Sequence, residues 1–307
     1  MKTIFTLLFI ALLSLTAQNS FAQIQVLSGM EKGTYYQMAK DMNALLPQTQ
    51  SIEGNDTLMV DFLDVRTTAG TAFNFDIITQ KDHKAKVAMM QLDYLLLKQS
   101  DDILNETEIC KDLVLLMPLS MEEIHLVSKK DDEIHSLADL AGRKVGIGTQ
   151  REGTYSTVTY MKNVSKVNWS SRNINTEDAI EEMVIDKLDA FFVVGAMPLD
   201  LLKIMPIRSS SKFELNSVEN INSWANYYQA ATIPAGTYRW QNTDVSTYAV
   251  PSVIVVNMAK LTEEEKQQLI QWRATVTANM ESLKANGHNA WKSTVQNWDY
   301  SDWPLLK

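Results

Sequence analysis

The sequence predicts an α/β layer fold with mostly parallel strands, arranged as two lobes about a cleft. Three observations carry this reading. Short apolar runs alternate with helix-like stretches along the chain. No linker or low-complexity tract divides it, which fits lobes joined by crossing strands. Gly-Thr-Tyr twice follows a strand-like run and opens a helix-like stretch, at Gly33-Thr34-Tyr35 and Gly153-Thr154-Tyr155. A helix start of this kind points backbone N–H groups at an anion. One copy in each half implies facing helix starts around a small acidic ligand.

The elements follow in order. Residues 24–27 read as a strand and 34–46 as a helix ended by Pro47. Residues 58–65 are a second strand candidate, interrupted by Asp61 and Asp64. A helix over 71–78, a strand over 86–90 and a helix beginning at 93–98 come next. Two strands, 113–118 and 124–128, lie close together, and a second unit starts near residue 123. It opens with a helical turn at 136–140, stopped by Gly142, and a strand at 144–148. The second Gly-Thr-Tyr then opens a helix toward Val164.

Thr176 is a good N-cap for a helix over 177–187, with two acids in its first turn. Residues 190–194 form a buried strand, with Phe191, Phe192 and Val194 in the core and Gly195 and Pro198 where it meets the cleft. Residues 253–256 form a β-branched strand. Thr262-Glu263-Glu264-Glu265 is a capping box. It opens a long helix through Ile270, Trp272, Val276, Met280 and Leu283, ending near Gly287 and packing back on the first unit. The tail residues Trp291, Trp298 and Trp303 read as packing across a lobe surface.

The N-terminus reads as a signal peptide over 1–22. Lys2 supplies its positive charge, 4–15 its apolar stretch, and Ser20-Phe21-Ala22 a cleavage site before Gln23. The alternative is an uncleaved N-terminal anchor. The 28 Lys and Arg against 37 Asp and Glu give a net charge of −9 with no basic patch, which argues against a nucleic-acid partner. The acidity does not exclude an anionic ligand, because local dipoles at a buried site outweigh a screened surface charge. Cys110 is the single cysteine, so no internal disulfide forms, and it reads as buried filler.

Catalysis needs paired acid–base groups, an activated nucleophile or a metal. His83, His125, His135 and His288 lack metal-ligand spacing with each other or with Cys110. There is no Gly-x-Ser-x-Gly, phosphate loop or nucleotide fingerprint. The expectation is a binding protein, not an enzyme, with no cofactor and no metal.

Five blocks carry a family resemblance: Gly33-Thr34-Tyr35-Tyr36; Gly70-Thr71-Ala72-Phe73-Asn74; Gln91-Leu92-Asp93; Val145-Gly146-Ile147-Gly148 leading to Gly153-Thr154; and Asp189-Ala190-Phe191-Phe192 followed by Ile233-Pro234-Ala235-Gly236-Thr237-Tyr238 and Ala249-Val250-Pro251. In order and spacing they resemble the TAXI-type solute receptors of TRAP transporters over most of the chain. The resemblance implies a type II periplasmic-binding-protein fold. Lobe 1 would span 24–122 plus 249–307, and lobe 2 would span 123–248. It further implies a periplasmic location, a small carboxylate ligand such as a glutamate-like acid, and delivery to a TRAP-type membrane permease. A membrane sensor is the alternative partner.

The candidate ligand residues are Gly33, Thr34, Tyr35, Asn74 and Gln91 in lobe 1 and Gly153, Thr154, Tyr155 and Tyr238 in lobe 2. Thr34 either donates to the ligand or caps its helix. Tyr35 either stacks or donates its hydroxyl, or is a wall residue. Asn74 either contacts a ligand oxygen or caps a turn. Gln91 ends a buried strand, where such folds place ligand residues, and Asp93 caps the following helix. Gly153 lets backbone approach closely. Gly236-Thr237-Tyr238 is a turn near the hinge, with Tyr238 a candidate for the cleft lining. The chain departs from the family at two loops, Met30-Glu31-Lys32 and Thr149-Gln150-Arg151-Glu152, each with one acid and one base. These are solvated loop tips, or Glu31 or Lys32 pairs with Arg151 or Glu152 across the cleft, or Lys32 or Arg151 reaches the ligand.

Overall fold

A computed structural model describes residues 23–46, 49–53, 56–60, 62–205, 212–295 and 303–307. The expected signal segment and Trp298 lie outside them. Among the described residues no helix is long and apolar enough to cross a membrane.

The chain runs β1 (Ile24–Leu27), α1 (Thr34–Ala44), β2 (Thr49–Glu53), β3 (Asp56–Val60), β4 (Leu63–Arg66), α2 (Thr71–Thr79), β5 (Val87–Gln91), α3 (Leu92–Asn105) and β6 (Leu113–Lys129). It continues with β7 (Lys144–Gly146), α4 (Gly153–Ser165), β8 (Ser170–Arg172), α5 (Thr176–Val184), β9 (Ala190–Gly195), α6 (Asp200–Lys203), β10 (Phe213–Asn216), β11 (Gln229–Ile233) and β12 (Val245–Asn257). Two helices close it, α7 (Glu263–Ala278) and α8 (Met280–Asn286).

The main sheet has the order β4-β1-β5-β12-β6-β9-β7-β8. Its flanks are parallel: β1 with β4 and β5, and β7 with β8 and β9. The expectation of mostly parallel strands fails at the centre, where β12 and β6 are antiparallel to their neighbours. The reason is connectivity. β6 carries the chain out of the first half and β12 brings it back, so the two must run in opposite directions.

Each of these strands serves both halves. β6 pairs through Leu113 to Pro118 with the end of β12, then through Glu123 to Ser128 with β9. β12 pairs with β11 over Val245–Ala249 and with β5 over Ser252–Val256. The sequence splits β6 in two because Ser120, Glu122 and Glu123 interrupt its apolar run, yet all three are buried. It captures only the last part of β12, because Pro251 interrupts the pattern. The ladder accommodates this proline at a register shift.

Helices cover both faces of each half-sheet, so strand residues alternate between cores. Ile254 and Val256 face the cluster under α1 and α7, while Val253 and Val255 face the cluster under α2 and α3. In the second half Phe192 and Val194 face α4, while Phe191 and Val193 face α5.

Three further boundaries differ from expectation. The strand expected at 58–65 is divided between β3, in a hairpin with β2, and β4, which joins the main sheet. The cap of α5 is Asn175, whose side chain accepts from Asp178 N at 2.9 Å, with Thr176 inside the helix. The long last helix breaks at Asn279, whose side chain bonds the Thr275 carbonyl one turn back. The Thr262 capping box is present, and Lys86 holds the same Glu265. Trp291 and Trp303 are buried and anchored, on Asp41 and on the Leu113 carbonyl. Cys110 is buried.

Candidate ligand-binding site

Three helix starts meet where the half-sheets join. α1 follows Gly33, which has no side chain to cap with and donates its own N–H to Met30 O at 2.7 Å. α2 follows Gly70, at φ +113° and ψ −156°, a backbone region essentially confined to glycine. α4 follows Glu152, whose carboxylate turns back to the Thr149 hydroxyl at 2.7 Å and makes no cap bond. None of the three has an acidic residue in its first turn. Such starts leave first-turn N–H groups without intrahelical partners and carry partial positive charge. They border one cavity of about 130 Å³, floored by Gln91 and Glu122 and walled by Val194 and Leu199.

Of the residues expected from sequence, Gly33, Thr34, Tyr35, Gln91, Gly153, Thr154 and Lys32 border this cavity. Tyr35 is buried and its hydroxyl has no hydrogen-bond partner, although it faces Thr71 and Glu122. Gln91 donates Nε2 to Glu122 Oε2 at 2.8 Å, and its Oε1 is unpaired. The Thr154 hydroxyl accepts from Val194 N at 3.0 Å, tying α4 to β9. A Cβ on Gly153 would collide with the Gln91 amide and sit 2.9 Å from Thr71 Oγ1, so the two halves approach there as only glycine allows.

The remaining expectations are corrected. Asn74 is wholly buried, and its amide donates to Ser28 O and Met89 O, each at 2.7 Å, knitting β1 to β5 behind the cavity. Tyr155 packs on the core of the second half. Tyr238 is buried under the wall, where its hydroxyl contacts His125 Nε2 and accepts from Leu199 N. It shapes the wall without lining the cavity. The charged loops do not pair with each other as expected. Lys32 faces Glu177 at 3.8 Å, Glu152 bonds Thr149, and Arg151 stacks over the Phe73 ring at 5.6 Å while its carbonyl accepts from Phe73 N.

Two carboxyls have roles that sequence reasoning missed. Asp93 was expected to cap α3, but Gln91 holds the cap position and Asp93 lies in the first turn, with one oxygen accepting from Tyr94 N and the other from Thr157 Oγ1 at 2.7 Å and Tyr228 Oη at 2.8 Å, across the junction. Tyr228 lies too far along the chain for spacing to suggest it. Glu122 was hidden inside a strand. Burial pushes its carboxyl up to about 8, with Asp93 adding to the rise, so it is largely protonated at neutral pH. Glu123, which accepts from Met197 N, is pushed up to about 7 by burial. Burial lowers His125 to about 4, leaving it neutral. Glu122 therefore does not confront an anion on the floor with fixed negative charge, while Glu152 and Asp200 border the same cavity.

Two half-sheets sharing two long strands, with a cleft at their junction, make this the fold of the periplasmic solute-binding proteins. The chain belongs to the NMT1-like family, whose model matches residues 26–297. Among solved structures it is similar to the regulatory domain of CcmR from Synechocystis PCC6803 in complex with 2-PG, at 10% identity and a TM-score of 0.50, covering 84% of this chain and 98% of that one. It is also similar to the amino acid ABC transporter substrate-binding protein AbpA from Streptococcus pneumoniae Canada MDR_19A bound to L-arginine, at 12% identity, a TM-score of 0.46 and coverages of 92% and 99%. A third is the sulfonate-binding protein SsuA from Methylobacillus flagellatus KT, at 11% identity, a TM-score of 0.45 and coverages of 87% and 70%. Likeness at this level speaks to the fold alone.

Proposed function

We propose that this protein is an exported, periplasmic receptor that captures a small carboxylate by closing two lobes over it and delivers it to a membrane permease of the TRAP type. The lobes are residues 24–122 plus 249–307 and residues 123–248, turning about β6 and β12 where they pass between the half-sheets. The observation that carries this reading is the convergence on one cavity of three helix starts, drawn from both halves, that have no side-chain cap and no acid in the first turn. Each such start favours an anion by about 0.3–1 kcal/mol when exposed and up to ~2 when partly buried. The unpaired Tyr35 hydroxyl adds a donor. After association losses, roughly micromolar affinity is expected. The TRAP assignment rests on the five sequence blocks resembling TAXI receptors. Mass spectrometry of the small molecule that co-purifies with the protein, followed by calorimetry against a carboxylate panel, tests the reading. A small organic acid binding near micromolar supports it, and no binding across the panel overturns it. A permease gene beside this one supports uptake, and a sensor kinase gene in that place overturns the partner assignment.

A further inference from the structure

Glu122 and Gln91 form a pair that the helix starts do not explain. Glu122 lies on β6 where the strand passes between the half-sheets, and Gln91 ends β5. They are 3% and 2% exposed, and both floor the cavity. Their mutual bond uses Gln91 Nε2 and one carboxyl oxygen. Gln91 Oε1 stays unpaired against the Cα of Gly153. A buried acceptor without a donor is costly, and this one lines the cavity, where a donor on a ligand can reach it. Tyr35 from α1, Thr71 from α2, Asp93 from α3 and Ser252 from β12 surround the pair. Lys32 is the one lysine or arginine among the described residues bordering the cavity, and it faces Glu177 at the rim. The floor thus offers the free Gln91 acceptor and a carboxyl that donates when protonated and accepts when ionised, and no cation of its own. A plain carboxylate held by the helix starts would leave Gln91 Oε1 unpaired.

We propose that Glu122 and Gln91 determine specificity by accepting hydrogen bonds from an N–H or O–H substituent of the ligand, so that the receptor selects small carboxylates bearing such a donor beside the acid group. This rests on the carboxylate reading above. A hydroxyl meets a protonated Glu122 and changes nothing in its titration. An ammonium group ionises Glu122, whose carboxyl burial has pushed up to about 8, and a proton leaves to solvent.

Calorimetry on the full mature chain near neutral pH, in two buffers of different ionisation enthalpy, tests this with three matched sets: propionate, lactate and alanine; succinate, malate and aspartate; glutarate, 2-hydroxyglutarate and glutamate. In at least one set the substituted acid is expected to bind about tenfold or more tighter than the unsubstituted one. Glu122→Met, which removes both carboxyl oxygens at similar side-chain length, and Gln91→Met each reduce that ratio to about threefold or less, with little change for the unsubstituted acid. Release of about one proton marks an ammonium donor and none marks a hydroxyl. Unsubstituted acids binding as tightly as their partners, or Glu122→Met preserving the ratio in a protein with unchanged thermal unfolding, overturns the inference and leaves the carboxylate reading standing. If no acid of any set binds, both fall together.

Discussion

In the seam between α3 and α4, Asp93 takes hydrogen bonds from Thr157 and Tyr228, so the two halves are joined by groups the chain itself supplies. In the cleft beside it, the same two elements begin at Gln91 and Gly153, and there the polar groups are left over. Gln91 Oε1 and the Tyr35 hydroxyl have no partner, and the helix starts have no caps. The contrast separates two tasks. The seam is satisfied by the chain's own groups, and the cleft leaves hydrogen-bonding capacity open. Elsewhere α5 begins on Asn175 with two acids in its first turn, and α7 begins on a capping box with three. The helices α3, α6 and α8 also lack side-chain caps, but each has an acid in its first turn, so among the described α-helices starts with neither belong to α1, α2 and α4 at the cleft.

The largest way to break this contrast is to unpair the seam. Asp93→Ala leaves Thr157 and Tyr228 without their acceptor, and two buried hydrogen bonds are together worth roughly 1–3 kcal/mol, plus the cost of leaving their donors unpaired. Small-angle scattering is expected to show a more open molecule, with ligand affinity falling about 100-fold. Transferring the seam's crowding into the cleft comes next. Gly153→Ala drives a methyl into the Gln91 amide and Thr71, and overpacking of this kind costs about 1–3 kcal/mol. Affinity is expected to fall roughly 10- to 100-fold. An unchanged dissociation constant would show that the lobes need not approach so closely.

The two buried carboxyls of β6 give a pH signature. Their folded values, about 8 for Glu122 and about 7 for Glu123, lie above the unfolded value of an ordinary glutamate. The folded state therefore binds more protons across this range, and the stability they contribute is lost as pH rises through about 7 to 8. The histidines lowered by burial, His125 and His288, act below this window. Thermal unfolding of the ligand-free protein is expected to fall between about pH 6.5 and 8.5, and Glu122→Gln should flatten the decline.

Smaller effects sharpen the comparison. Tyr35→Phe removes a hydroxyl that bonds nothing in the protein, so stability should hold while affinity drops by about two- to tenfold, a hydrogen bond of roughly 0.5–1.5 kcal/mol. Equal losses of both would mean that the hydroxyl serves the scaffold. Smallest of all is Lys32→Ala. Its 3.8 Å pair with Glu177 is largely exposed, and surface pairs are worth at most about 1 kcal/mol. Less than about a fivefold change in affinity is expected by calorimetry.

Much of this was legible in sequence because its causes are local. Strand–Gly-Thr-Tyr–helix placed α1 and α4, and apolar runs placed β1, β5 and β9. Thr262 and Glu265 fixed the start of α7 through a box four residues long. Gln91 was readable as a strand end. What failed was long-range. Asn74 looked like a ligand donor, yet its amide is spent on carbonyls 46 and 15 residues away. Tyr238 looked like lining, yet its partner His125 lies 113 residues off. Tyr155 points into the core of its own half.

The sequence by itself determined the alternation of strands and helices, the helix starts at the first two Gly-Thr-Tyr copies, the packing of Trp291 and Trp303 and a core free of disulfides. Each follows from backbone propensity, side-chain patterning or residue count over a few neighbouring positions. The tertiary structure decided that β6 and β12 are single strands running through both halves. It decided that Glu122 lies at the cleft floor rather than in a loop, and that Asp93 joins the halves rather than capping a helix. A carboxyl's protonation and partners depend on what is packed around it in space, and residues separated by more than a hundred positions carry no local signal of that meeting.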